Sequence, residues 1–320
     1  MDTVVEADAV ELKHEWFNSD PFCDVRLVNI KHGGRETDKF MIELQQPNTQ
    51  LYREIPGVGA VHTANYHLVP NRQVHDIAMD VLNKTGMTFE PVPSFASGHS
   101  QPILWDGKRY VERWFTKDVK VTGPKAFPGG QRRDMMMGME VRNSYDGSYK
   151  VGLAFFAMYC ACSNQFHATN LLGAPFEFPH VNRGEGFEGD FQLALDTVTE
   201  KAANFHNIQK ALDVLAETRV TGMSDFLDLR QRLKNNTRVE FRDKNLLDEL
   251  AGCGITQEIG LPEMAREAYK DPSTYWAISN AFTAITTHGV PGVRGAEQGR
   301  RITDFLIEDA YKRTAAVAAA

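Results

Sequence analysis

Apolar residues recur with clear periods in three parts of the chain. From Gln73 to Lys84, the side chains Val74, Ile77, Ala78, Val81 and Leu82 share one helical face, and Gly86 follows as a stop. From Phe191 to Leu215, the residues Phe191, Leu195, Val198, Ala202, Phe205, Ile208, Leu212 and Leu215 are spaced by threes and fours, which predicts one long amphipathic helix. Between these two, residues 108–121, 135–143 and 150–162 read as strands separated by the turn-rich segments 123–130 and 143–148. The third strand, KVGLAFFAMYCAC, is apolar on both parities, as expected of a strand covered on both faces. In the turn NSYDGS, Asp146–Gly147 accepts the positive φ of a tight hairpin, so strands two and three are predicted to be paired neighbours.

Elsewhere the pattern is weaker. Short strands fit 24–30 and 39–44 between the turn signals HGG and PGVG, an extended piece fits 65–70, and the Pro-, Gly- and Ser-rich stretch 91–102 reads as a loop. Further helices are expected at 224–235 with Ser224 as N-cap, at 263–269, at 274–287 carrying Trp276, Phe282 and Ile285, and at 297–313. The expected fold class is α+β: an antiparallel β-meander packed on a long helix, with a mostly helical C-terminal region. Its divisions are an N-terminal extension over 1–60, the core over 61–220 and the helical region over 221–320.

Composition leaves this picture intact. The chain has 320 residues, 42% hydrophobic and 24% charged, which places it among globular proteins with a sizeable core. No stretch approaches the roughly 20 apolar residues of a bilayer span, and the acidic start MDTVVEADAVELKHEW lacks a signal-peptide pattern, so a cytoplasmic protein without membrane contact is expected. In that setting Cys23, Cys160, Cys162 and Cys253 are expected to be reduced thiols.

Charge changes the picture. The net charge is −7, yet residues 108–133 hold Lys108, Arg109, Arg113, Lys117, Lys120, Lys125, Arg132 and Arg133 against only Glu112 and Asp118. That window is +6, leaving −13 for the remainder. Tyr110, Trp114, Phe115 and Phe127 are interleaved with its cations, a composition suited to single-stranded nucleic acid, where Lys and Arg neutralise phosphates and exposed rings stack on bases. Strand alternation sends Val111, Phe115, Val119 and Val121 to the core and leaves Tyr110 and Trp114 to face outward as the stacking pair. The bland alternative is a solvated strand with its rings in the core.

Other chemistries find less support. Cys160, Cys162 and His167 invite zinc, but a structural zinc needs four ligands and no CxxC or HxxxH partner exists. His62, His67 and His75 match no metalloprotease spacing, and the chain contains neither a GxSxG elbow nor a Walker loop. Asp134, Glu140, Asp146, Glu188 and Asp190 are the carboxylates a magnesium-dependent nuclease would draw on, although capping and solvation account for all five. No catalytic residue, metal or cofactor is therefore expected.

Several segments occur in a familiar order: NYHLVP (65–70), Asp106–Gly107, NSYDGS (143–148), Cys162–Ser163–Asn164, and Trp276, Asn280 and Thr283 in TYWAISNAFTAITTH. Over residues 60 to 290 the chain resembles the phage/plasmid-like protein family that carries a domain of unknown function, with Tyr145 where that family more often has histidine and Gln165 where it more often has glycine. More distantly, the strand-strand-strand-helix centre resembles phage single-strand annealing proteins of the RecT and Red beta type. The resemblance implies mobile-element biology without an agreed enzymatic activity; together with the basic aromatic strand it leads to the expectation of a phage or plasmid DNA-metabolism protein that binds single-stranded DNA without a cofactor, with strand annealing in recombination as a further role, and a homo-oligomer is expected separately. The competing expectations are a non-catalytic assembly protein of the element and, third, a metal-dependent nuclease.

Overall fold

The computed structural model describes residues 20–46, 48–55, 58–59, 61–62, 66–93, 102–105, 107–124, 132–159, 165–180, 186–239, 274–288 and 292–319. The architecture is α+β, with antiparallel sheets followed by a mostly helical C-terminal part.

A small N-terminal sheet comes first. Strands β1 (Val25–His32) and β2 (Arg35–Gln45) form a hairpin, and β2 also pairs with β3 (Tyr52–Glu54) and β4 (Val61–His62). Ile42, Leu44, Ile55 and Val58 make its core, and Tyr145, from the distant NSYDGS turn, completes it. Helix α1 (Asn71–Lys84) follows with Val74, Ala78, Val81 and Leu82 buried, the face read from the sequence, and Gly86 beyond its end has φ 73°.

The central sheet runs β10 (Gln165–Phe166), β9 (Val151–Tyr159), β8 (Asp134–Ser144), β7 (Arg109–Thr122), β5 (Phe89–Pro91), with β6 (Ile103–Trp105) also on β7 and β11 (Phe176–Phe178) also on β9, every pair antiparallel. Its long strands are β7, β8 and β9. Short strands finish both sides: β5 and β6 on β7, β10 and β11 on β9. Short flanking strands leave little open ladder for edge-to-edge pairing. The turn between β8 and β9 contains Gly147 with φ 68°, so the Asp146–Gly147 hairpin predicted from the sequence is present.

Both faces of this sheet are covered. Tyr110, Trp114, Met137, Met139, Leu153, Phe155 and Ala157 join the main core with α1 and the later helices. On the other face Phe115, Met136, Phe156 and Met158 pack with Val92. Gly138 is required opposite Phe156, since a Cβ there would lie 2.1 Å from the phenyl ring.

Helix α2 (Thr169–Leu172) leads to the helical part. The long helix predicted over 191–215 occurs as α3 (Gly186–Asn204), a 3₁₀ turn at Phe205–Asn207 and α4 (Ile208–Glu217). The interruption falls where Phe205 is buried in the main core, so tertiary packing overrides a continuous apolar period. Helix α5 (Met223–Thr237) begins one residue before Ser224, with Gly222 as N-cap, so the cap expected at Ser224 is corrected. Helices α6 (Tyr275–His288) and α7 (Gly292–Ala319) complete the description; the helix expected at 263–269 lies outside the described residues. Among the described residues no helix is long and apolar enough to cross a membrane.

Candidate nucleic-acid interface

Among the described residues the basic window comprises β7 with Lys108 before it and Arg132–Arg133 just before β8, and the fold divides it in two. From Tyr110 to Thr116 every residue of β7 is buried, whereas Lys117, Asp118, Lys120 and Thr122 are exposed. The division coincides with a shift in register: Thr116 pairs with Met137 and Lys120 with Met136, so the three residues Lys117–Val119 fall between successive ladder pairs. Extra residues on one strand bend it and break the strict in–out alternation. Beyond the shift β7 is therefore half solvated.

In the buried half the cations are structural. Arg113 Nε donates to Glu140 Oε2 at 2.7 Å, with the two side chains 10% and 1% exposed. Burial pushes the Glu140 carboxyl up, but the guanidinium groups of Arg113 and Arg142 and the nearby His167 outweigh it and hold it below the ordinary glutamate range. Tyr110 and Trp114, expected to face outward, are 0% and 2% exposed, so the stacking role assigned to them is corrected. Alternation was no guide because α1 covers the face that the sequence alone left open. The Tyr110 hydroxyl donates to Glu112 Oε2, which also lies 2.7 Å from His75 Nδ1. This hydrogen bond raises the His75 pKa against the opposing effect of burial.

At the near end, Arg109 Nε donates to Asp146 Oδ2 at 2.8 Å and to Ser148 Oγ at 3.0 Å, fastening β7 to the hairpin turn. Lys108 is half-buried beside it. The outer half is different. Lys117 Nζ lies 2.9 Å from Glu90 Oε1 and Lys120 Nζ 2.6 Å from Asp134 Oδ2, with all four side chains roughly half exposed. Arg132 and Arg133 are exposed immediately before β8. The outer half of the β7–β8 hairpin thus carries Lys117, Lys120, Arg132 and Arg133 in water, with Lys125 between them in sequence but outside the described residues.

The motif residues behind the resemblance are mostly joints. Asn143 Nδ2 donates to Val69 O and to Asn71 Oδ1, and the Asn71 backbone N–H donates to the Tyr145 hydroxyl. One backbone N–H of the first turn of α1, which lacks a side-chain cap of its own, is thus answered by the β8–β9 turn. Ser144 Oγ donates to Tyr149 O, and Asp146 Oδ1 accepts from the Ser148 N–H. Trp276, Asn280 and Thr283 are buried in α6. Cys160, Cys162 and Asn164 lie outside the described residues, while Cys23 is a free thiol that burial pushes up to about 11.

The side chain of Glu188 lies outside the described residues, and the other four carboxylates considered for a nuclease do not converge. Asp134, Glu140 and Asp146 are each engaged by a cation, Lys120, Arg113 and Arg109 respectively, and Asp190 is exposed on α3. Among the described residues no three His, Cys, Asp or Glu side chains gather as metal ligands would. A polar group the sequence reading missed lies on the sheet face opposite α1, where Arg113, Glu140, Arg142 and His167 are all buried. Arg142 Nη2 donates to Glu177 Oε1 at 2.5 Å, and Lys150 reaches the other Glu177 oxygen at 3.0 Å. The signal was available in β8, where Glu140 and Arg142 stand two apart, on one face of a strand whose residues 135–139 and Val141 carry no polar side chain. No protein-family model, curated protein or solved structure matches the chain.

Proposed function

We propose that this protein binds single-stranded DNA, without a cofactor, in the DNA metabolism of a phage or plasmid element, and that the outer half of the β7–β8 hairpin is the contact. The observation that carries the reading is the clustering of Lys117, Lys120, Arg132 and Arg133 at the surface of a chain whose net charge is −7. The pairs Lys117–Glu90 and Lys120–Asp134 are solvated on both sides, so each contributes about 0–1 kcal/mol and is readily exchanged for a phosphate. Burial of Tyr110 and Trp114 removes stacking from the account, leaving contacts to the backbone of the strand. Such binding is independent of sequence, steep in salt and leaves base edges free, which is the condition annealing requires.

A second reading rests on the carboxylates Glu90, Asp118 and Asp134, which alternate with these cations and suit a protein partner in an assembly. One titration separates the two. Binding of labelled single-stranded DNA is measured against salt for the wild type and for a variant with Lys117, Lys120, Arg132 and Arg133 changed to Ala. DNA binding requires the log–log salt slope to flatten by about 3, at roughly 0.7 per phosphate contact. Equal affinity and slope in the two proteins would remove the DNA reading and leave the assembly one.

A further inference from the structure

The buried ion cluster on the sheet face opposite α1 borders a small cavity of about 10 Å³. Glu140 and Arg142 of β8, Ala154 of β9, His167, and Glu297 and Arg300 of α7 line it. Two polar atoms here have no protein partner although their side chains are almost wholly buried: Glu140 Oε1, an acceptor, and Arg142 Nε, a donor. Arg142 lies flat across β9 because Gly152 has no side chain; a Cβ there would come within 2.6 Å of Arg142 Nε. An unpartnered buried polar atom keeps its desolvation penalty uncompensated, more so when charged, so two in one cavity call for a ligand that answers both.

The chemistry of that ligand follows from the lining. Two carboxylates, Glu140 and Glu297, face two guanidinium groups, Arg142 and Arg300, so the wall is neutral overall. Burial holds His167 down to about 4, so it adds no charge near neutral pH. A neutral wall favours neither an anion nor a cation, and the volume admits one water-sized molecule. We propose that this cavity is a binding site for a single water, which accepts a hydrogen bond from Arg142 Nε and donates one to Glu140 Oε1. Its second hydrogen and remaining lone pair face the α7 side of the cavity. The contact between sheet and C-terminal helix at this point is then a hydrated ion cluster and not an apolar seam.

A crystal structure of the full chain at a resolution that orders solvent tests the site. The expected result is one peak within about 2.7–3.2 Å of both Glu140 Oε1 and Arg142 Nε. No peak there, or an anomalous peak at that position after bromide or rubidium soaking, overturns the proposal. In solution, oxygen-17 magnetic relaxation dispersion counts long-lived internal waters. Ala154 stands opposite Glu140 in the ladder, so Ala154→Val fills the cavity and should lower the count by one with far-ultraviolet circular dichroism unchanged. An unchanged count in the folded variant is equally fatal, and if the variant does not fold the wild-type crystal decides.

Discussion

The first half of β7, Arg109–Thr116, and its second half, Lys117–Thr122, each carry two cations, but of the four only Arg113 is buried, while Arg109, Lys117 and Lys120 are exposed. Arg113 lies between sheet and covering chain, held by one carboxylate oxygen of Glu140; Lys117, four residues on, faces water beside Glu90. A buried pair is costly to break from either side, since the survivor keeps its desolvation penalty without its partner. An exposed pair dissolves into solvent at little cost. The same residue types thus support the fold in one half and are available to a ligand in the other.

The sharpest way to break this comparison is Arg113→Glu, which would set two carboxylates together in the interior. Urea unfolding should show a loss of about 5 kcal/mol, whereas the double change Arg113→Met with Glu140→Met should return to within about 2 kcal/mol of wild type. A single variant as stable as the parent would mean that this half is solvated after all. Next in size is Trp114→Ala. With the ring buried, truncation should cost about 4 kcal/mol of stability while the folded fraction binds DNA as the wild type does. Weaker binding at unchanged stability would restore the exposed, stacking tryptophan.

Acid should act on the buried half through His167. Its folded pKa of about 4 lies below the unfolded value of roughly 6.5, so its contribution is complete above 6.5 and is lost as pH falls towards 4. At 1.4 kcal/mol per unit the loss is about 3 kcal/mol, and it should shrink in His167→Gln when urea midpoints are followed against pH. His75 has the opposite sign. Its folded pKa is raised, so its contribution is present below about 6.5 and fades as pH rises through the folded value, a slope that His75→Gln should abolish. The smallest effect belongs to the outer half: Lys117→Ala and Lys120→Ala should each change stability by less than about 1 kcal/mol while lowering DNA affinity at low salt. A larger stability loss would show that the outer pairs support the fold.

Much of the frame was legible in the chain. The apolar faces of α1 and of the α3–α4 stretch, the three-strand meander and the hairpin at Asp146–Gly147 are local matters of period and turn chemistry, and they stand where the sequence places them. The candidate site was legible as a list of cations and not as a surface. Nothing near Arg113 in sequence announces Glu140, which arrives by pairing 27 residues away, and nothing near Trp114 announces that α1 will cover it. The break at Phe205 and the early start of α5 at Met223 are likewise decisions of packing against neighbours.

What the sequence alone determined is the three long strands with their hairpin, the apolar faces of the main helices, the acidic total and the basic window, because periodicity, turn propensity and formal charge are properties of residues and their near neighbours. Only the tertiary structure decided which of those charges meet water. Covering a second sheet face and shifting the register at Thr116–Lys120 turned one half of a basic strand into core and left the other half at the surface. Burial is set by what packs on top, and that partner comes from elsewhere in the chain.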